Sequence, residues 1–353
     1  DWSSDVCSSI CRGPECEASP FGHLNKARRL FRHDRTGVPM IERFDPLKGE
    51  RLEILDPAGN VRAELEPALP AEVLRAMYER MVLTRLADAK ALKLQRQGRS
   101  GTHASSRGQE ACQVGTASAF QAGDWFFPYF RDLGTFITLG YPLRDFYHYW
   151  MGNEAGLRTP DGLNMFSLAI PVASQIPHAV GVGMAVNYRK LKAAVFSTFG
   201  DGATSQGDFH EGLTFAGVFK TPNVLVCYNN QFAISLPRSR QCAAPTLAQK
   251  ALGYGVPGVQ VDGNDILAVW SAVSEAAGIA RSGGGPVLVE AYTYRLGDHT
   301  TSDDAGRYRS ADELREWEKK DPIARFQVYL KRKKLWDEAY KIYESAAGWE
   351  RVL

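Results

Sequence analysis

Gly200-Asp201-Gly202-Ala203-Thr204-Ser205-Gln206-Gly207 follows a short apolar run, 193–199, and leads into a helical pattern over 208–219; a second apolar run, 223–228, ends in Asn229-Asn230. Two phosphate motifs fail on this stretch. The dinucleotide pattern G-x-G-x-x-G needs glycine where Ser205 stands, and the P-loop needs Lys-Ser/Thr where Asp208-Phe209 stands. What remains is one strand ending in an acidic Gly-Asp-Gly turn and a second ending in two asparagines, with 26 residues from Ala203 to Tyr228 between them. In a doubly wound sheet neighbouring strand ends meet at one edge, where ligands bind. Asp201 and Asn230 offer hard oxygen donors suited to Mg²⁺, an ion that usually takes its other positions from phosphate and water. Glycines on both sides of Asp201 admit phosphate to the backbone, and the helix that follows favours its charge. The composite reads as a metal-bridged diphosphate site; Gly200–Gly202 alone would read as a tight turn.

Outward from that stretch the pattern alternates. Beyond about residue 160, strands at 193–199, 223–228, 259–261 and 286–294 are separated by helices at 208–219 and 265–281. Such alternation predicts βαβ units and an α/β fold: a doubly wound, mainly parallel sheet flanked by helices. Upstream, Val73, Leu74, Met77, Tyr78 and Met81 recur at helical spacing from Pro70 towards Gln97, where Gly98 stops the run, and a second helix is expected over 109–120. Residues 38–70, rich in turn formers (Asp56-Pro57, Gly59-Asn60, Pro67, Pro70), read as an extended arm over a neighbouring surface. Residues 71–353 form the ligand-binding domain. Residues 1–37 are poorly specified: three of the six cysteines (Cys7, Cys11, Cys16) crowd there without zinc-like pairing, and DWSSDVCSSI reads more like translated adaptor DNA than folded protein. The end of the chain at Leu353, just beyond Gly348-Trp349-Glu350 and a helical run, reads as a truncation.

Composition excludes several classes. A 353-residue chain with 44% hydrophobic and 23% charged residues has the make-up of a globular protein able to bury a large core. A formal net charge of +2 provides no field for nucleic acid or an anionic membrane, and the basic tract 331–334 reads as a solvated helix face. No apolar stretch approaches the ~18 residues of a spanning helix, and no charged-then-apolar leader is visible, so the expectation is an intracellular protein.

The two-part pattern G-D-G-x26-N-N resembles the thiamine diphosphate motif. Further segments resemble the α subunit of the E1 component of 2-oxo acid dehydrogenase complexes over roughly residues 38–340: Arg96-Gln97-Gly98-Arg99, Gly108-Gln109-Glu110-Ala111, Phe127-Pro128-Tyr129-Phe130-Arg131-Asp132, Gln175-Ile176-Pro177-His178, Val261-Asp262-Gly263-Asn264-Asp265 and Tyr294-Arg295-Leu296-Gly297-Asp298-His299. Phe209-His210-Glu211-Gly212, Pro237-Arg238-Ser239-Arg240-Gln241 and Gly297-Asp298-His299-Thr300-Thr301 lean towards the bacterial pyruvate dehydrogenase type, the branched-chain 2-oxo acid dehydrogenase being the alternative.

The resemblance implies a thiamine diphosphate-binding fold with Mg²⁺ held by Asp201, Asn230 and the main-chain carbonyl of Phe232. It implies cofactor contacts from Tyr129, Arg131, Ile170, Val172, Gly200, Asp201, Gly202, Ala203, Asn230, Phe232, Ile234 and His299. Arg131 would bind the diphosphate, against the alternative of a surface pair with Asp132; Tyr129 would donate to the same group, against a structural hydrogen bond; Ile170, Pro171 and Val172 would meet the cofactor rings, against plain core. His299, in a polar loop after a strand, is the candidate catalytic residue, against an exposed loop histidine. His178 reads as a core or helix-end residue. Thr300 stands where animal relatives carry a phosphoserine, which by itself implies no regulation. Gly101-Thr102-His103-Ala104-Ser105 departs from a more aromatic family pattern, so His103 is a local adaptation or idle, and Tyr228 stands where some branched-chain relatives place an arginine.

In that family the carboxylate that activates the cofactor comes from a β subunit. The resemblance therefore implies half an active site, an α₂β₂ heterotetramer, acyl transfer to the lipoyl domain of an E2 acyltransferase, and a bacterial cytoplasmic setting. A non-catalytic binding or scaffolding subunit is the reading from another class; intact Asp201, Asn230, Arg131 and His299 argue against it.

Overall fold

The computed structural model describes residues 39–336. The N-terminal cysteines, the adaptor-like opening and the segment around Gly348-Trp349-Glu350 all lie outside the described residues.

Six parallel strands form the sheet: β1 (Arg51–Leu52), β2 (Trp125–Phe127), β3 (Val195–Gly200), β4 (Asn223–Asn229), β7 (Gly258–Asp262) and β8 (Val287–Tyr292). Their order is β1-β7-β8-β4-β3-β2, and β5 (Phe232–Ala233) and β6 (Leu236–Pro237) make a separate antiparallel hairpin. Every residue of β4 is buried, as a strand covered on both faces requires. Alternate residues divide between two cores. Val224 and Val226, with Phe196, Val259 and Val289, face one cluster; Leu225 and Cys227, with Phe199 and Leu288, face the other. Each fully buried aliphatic or aromatic side chain contributes about 1.5–3 kcal/mol relative to exposure.

The longer helices are α1 (Ala71–Arg96), α2 (Glu110–Ala117), α3 (Leu133–Thr138), α4 (Leu143–Trp150), α5 (Gln175–Tyr188), α6 (Gly207–Phe219), α7 (Ile266–Arg281), α8 (Ala311–Glu318) and α9 (Pro322–Arg332). α1, α2 and α7 cover the first core; Ile176 of α5 with Phe209 and Leu213 of α6 covers the second. The doubly wound parallel architecture expected from the alternating pattern is therefore observed. α1 ends as expected: Gly98 takes φ +71°, a left-handed conformation that glycine adopts without penalty. α7 begins one residue after its cap, Asp265, whose Oδ1 accepts from Leu267 and Ala268. Its Oδ2 accepts from the Ile54 and Leu55 backbones at 2.7 and 2.6 Å, and burial pushes this carboxyl up to about 6.

Three local readings needed the fold. β2 and α3–α5 carry no clean period and were unassigned by pattern. The helix expected over 109–120 closes to Glu110–Ala117, because Gly123 and Asp124 turn the chain into β2. Between Met40 and Pro70 the chain contributes β1 to the sheet edge and buries Leu52, Ile54, Leu55 and Leu65 against its own body.

Candidate active site

β3 and β4 end in register, Gly200 opposite Tyr228. The two halves of the G-D-G and N-N pattern thus emerge side by side at the carboxyl edge of the sheet. A cavity of about 420 Å³ opens there. Tyr129, Arg131, Ile170, Val172, Gly200, Asp201, Gly202, Ala203, Asn230, Phe232, Ile234 and His299 all line it, together with Pro171 and Thr300. Residues more than 160 positions apart in the chain are brought to one wall.

After β3 the chain enters a tight turn, Asp201–Ser205, before α6 begins at Gly207. The helix thus starts within one residue of the expected 208–219, and the turn that precedes it is what approaches the cavity. Thr204 donates through Oγ1 to the Asp201 carbonyl at 2.8 Å, and Lys250 clamps the Thr204 carbonyl at 2.7 Å. Asp201 is buried; Gln241 donates to its Oδ2 at 2.7 Å, and burial raises its carboxyl above the usual range. A Cβ on Gly202 would lie 2.9 Å from the Ala233 Cβ, so glycine is required; one on Gly200 would meet only a Tyr129 ring carbon at 3.9 Å.

The asparagine pair divides its work. Asn229 donates to Glu290 at 2.6 Å and ties β4 to β8. Asn230 donates through Nδ2 to Gln109 at 3.3 Å, and its Oδ1 accepts from the Phe232 backbone N–H at 3.3 Å, which fixes the amide and leaves one lone pair of Oδ1. Ala173, Gln231 and Ile234 around the cavity hold φ of +73°, +74° and +56°, and such non-glycine conformations cost about 1 kcal/mol or more each.

The electrostatics are unusual. Arg131 and Arg295 are among the largest fully buried side chains, and neither has a carboxylate partner among the described residues. Arg131 donates to the carbonyls of Ser105 and His299, the latter at 2.7 Å, and to His299 Nδ1 at 3.1 Å. Burial pulls its guanidinium down to about 10, so it is a cation at neutral pH. Asp132 takes no part in this: it accepts from Thr198, Thr135 and the Tyr129 backbone, and burial raises it to about 7. The surface-pair alternative for Arg131 is thereby removed. Arg295 holds the carbonyls of Phe232 (3.1 Å) and Ile234 (2.7 Å) and the Tyr308 hydroxyl. The Tyr129 hydroxyl is buried with no partner, which removes its structural-bond alternative as well. Ile170 and Val172 are 46% and 47% exposed, on a cavity wall rather than in a core.

His299 is neutral. Burial first, then the Arg131 and Arg295 charges, push its imidazole down to about 3. Since Nδ1 faces guanidinium donors, the proton is assigned to Nε2. Asp303 accepts from the His299 backbone at 2.7 Å and fixes the loop. His178 sits exposed in the first turn of α5, at the helix end rather than in the core.

Arg295, Gln109 and Gln241 were not singled out by role in the sequence. Arg295 had a legible signal: a cation directly after the apolar strand β8, where a buried charge requires partners. Gln109 and Gln241 had none, because their partners lie 121 and 40 residues away.

Metal and cofactor are implied by the resemblance, and the donors present fit them. Among the described residues no group of three or more His, Cys, Asp or Glu forms a metal cage. A single carboxylate, an amide oxygen and a carbonyl suit an ion that arrives with phosphate oxygens. The partnerless Tyr129 hydroxyl and Arg131, buried without a carboxylate, suit the phosphates themselves.

The chain matches known proteins over most of its length. A family model described as "Dehydrogenase E1 component" matches residues 78–346. The chain is 48% identical over 279 residues to the pyruvate dehydrogenase E1 component subunit alpha of Acholeplasma laidlawii, covering 79% of this chain and 81% of that protein. It is 46% identical to the subunit of the same name from Staphylococcus aureus (strain Mu50 / ATCC 700699), covering 82% and 79%. It is 45% identical to the 3-methyl-2-oxobutanoate dehydrogenase subunit alpha of Mycobacterium tuberculosis (strain ATCC 25618 / H37Rv), again covering 82% and 79%. The chain belongs to the dehydrogenase E1 component family, as an α subunit of the thiamine diphosphate-dependent 2-oxo acid dehydrogenases.

Proposed function

We propose that this cavity holds Mg²⁺ and thiamine diphosphate, and that the chain is the α half of a pyruvate dehydrogenase E1 passing acetyl groups to the lipoyl group of an E2 acyltransferase. The observation that carries the reading is the buried, carboxylate-free guanidinium of Arg131 beside the partnerless hydroxyl of Tyr129, at the mouth of the Asp201–Asn230 pair. A buried cation without a counter-charge is costly, and a diphosphate removes that cost.

Asp201, Asn230 and the Phe232 carbonyl would take the metal. Tyr129, Arg131 and the Gly200-Asp201-Gly202-Ala203 backbone would take the diphosphate, with Ile170, Val172 and Ile234 against the cofactor's apolar parts. The bound cofactor would supply the carbanion chemistry of 2-oxo acid decarboxylation. His299 would hold a proton at Nε2 as a neutral donor, its ring fixed by Arg131 at Nδ1. Asp201 is the only carboxylate among the described residues lining the cavity. On this reading the activating carboxylate comes from a β subunit, in an α₂β₂ assembly in the bacterial cytoplasm. Among the described residues no helix is long and apolar enough to cross a membrane.

The branched-chain substrate is the second reading, favoured by the Mycobacterium tuberculosis relative's name. Co-expression with a bacterial E1β and assay of 2-oxo acid oxidation with an artificial electron acceptor tests both. Turnover is expected only with both subunits, thiamine diphosphate and Mg²⁺, and faster with pyruvate than with 3-methyl-2-oxobutanoate; the reverse preference selects the second reading. Asp201→Ala is expected to abolish Mg²⁺-dependent cofactor binding in a folded heterotetramer, and wild-type affinity in that variant overturns the site.

A further inference from the structure

The sequence left His103 without a role, and the structure places it in a buried polar cluster behind the cavity. His103 is 1% exposed, and its Nε2 lies 2.8 Å from Asp88 Oδ1. Asp88 is itself buried on the apolar face of α1, between Met81, Thr84 and Ala91. Its carboxylate also accepts from the Ser105 hydroxyl at 2.6 Å and the Ser106 backbone at 2.7 Å. One carboxylate thus gathers three donors from segment 103–106, and these hydrogen bonds hold it below the ordinary carboxylate range although burial opposes them.

The same segment holds the functional side chains. The Ser105 carbonyl accepts from Arg131 Nη1, while Arg131 Nη2 binds both the carbonyl and Nδ1 of His299. The His103 carbonyl accepts from the Thr301 backbone at 3.1 Å, and the Thr301 hydroxyl lies 3.4 Å from the His103 nitrogen. Arg131 and loop 299–301 therefore rest on a strip of backbone whose position is set from α1.

We infer that Asp88, with His103 and Ser105 as its clamps, is a positioning unit that fixes Arg131 and His299 for the reaction. The inference rests on the cofactor reading of the cavity. Asp88 touches no lining atom of the reacting site; it acts through the Ser105 carbonyl. A displacement of about 1 Å at such a site costs up to about 100-fold, so loosening one of several anchors is expected to cost about tenfold.

The test uses the α₂β₂ heterotetramer carrying Asp88→Asn, Ser105→Ala or His103→Asn. Three quantities are measured: the Kd of thiamine diphosphate with Mg²⁺, the rate of diethyl pyrocarbonate modification at His299 without cofactor, and the thermal midpoint. Asp88→Asn is expected to raise Kd about tenfold and to speed His299 modification. Ser105→Ala, which keeps the carbonyl under Arg131, should do both more weakly. A lowered midpoint with wild-type Kd and wild-type modification rate, in whichever variants fold, overturns the positioning role and leaves the cluster purely structural. Wild-type protein that binds no thiamine diphosphate overturns the functional reading instead, so the two failures are told apart in one titration.

Discussion

Two places on the same carboxyl edge of the sheet bury an arginine, and they use it differently. At the end of β7, Arg325 is 2% exposed; it pairs with Asp262 at 2.8 Å and donates to the carbonyls of Asp56 and Leu55. Charge and donors are satisfied within the chain, and the result is architecture: α9 and the N-terminal arm are tied to the sheet. Beyond the ends of β2 and β8, Arg131 and Arg295 are as deeply buried but have only carbonyls, a neutral histidine and a tyrosine hydroxyl for company. A guanidinium buried without a carboxylate marks a place where a mobile anion completes the structure. On the proposed cofactor reading, the contrast separates an arginine satisfied within the chain from one that a bound anion completes.

The strongest attempt to break that comparison swaps each arginine for methionine. Arg325→Met strands Asp262 and is expected to destabilise the chain by about 3 kcal/mol, read as a fall in thermal midpoint. Arg131→Met should leave the cofactor-free midpoint unchanged or higher and weaken thiamine diphosphate about 100-fold, of the order expected for a lost charge-assisted hydrogen bond. Equal loss of stability in both variants would erase the distinction.

A sharper version concerns the two glycines. Gly202→Ala drives a Cβ to 2.9 Å from Ala233 and should cut cofactor affinity by at least tenfold, through displacement of the turn that bears Asp201. Gly200→Ala meets only an ordinary 3.9 Å contact and should fold with an unchanged midpoint. Calorimetric titration of both variants decides it.

Tyr129→Phe removes a buried hydroxyl that has no partner in the chain. Stability is expected to rise by about 1 kcal/mol, whereas thiamine diphosphate affinity falls about tenfold. A loss of stability would mean that the hydroxyl serves the fold.

The smallest effect is a pH dependence. His299 titrates near 3 in the folded chain, against about 6.5 when unfolded. Between those values the unfolded chain binds a proton that the folded chain refuses, so stability falls as pH drops from 6.5 towards 3. His299→Gln should lose less in thermal midpoint than wild type between pH 7 and pH 5; identical slopes would mean that His299 does not feel the two cations.

Much of the site was legible because its core is local. A strand, a Gly-Asp-Gly turn and a helix are written in consecutive residues, and the 26-residue spacing to Asn229-Asn230 is one βαβ step, so register brings the two ends together. The unbroken apolar run of β4 likewise states that both faces are covered. Local pattern could not distinguish Asn229 from Asn230, since their roles depend on Glu290 and Gln109, 61 and 121 residues away. It could not tell that Ile170 and Val172 line a wall, because an apolar side chain looks the same facing a core or a ligand. An aspartate in the apolar stripe of α1 was a visible anomaly, but its meaning required His103 and Ser105.

By itself the amino-acid order determined β3, β4, β7 and β8 and the helices α1, α2, α6 and α7, and it put on view the donors proposed for a metal-bridged diphosphate, because these depend on periodicity and on residue chemistry at short range. Only the tertiary structure decided which cations go without a counter-charge, which hydroxyl lacks a partner and which imidazole stays neutral. Those properties belong to burial and to long-range neighbours, and burial is where an unpaired charge becomes expensive.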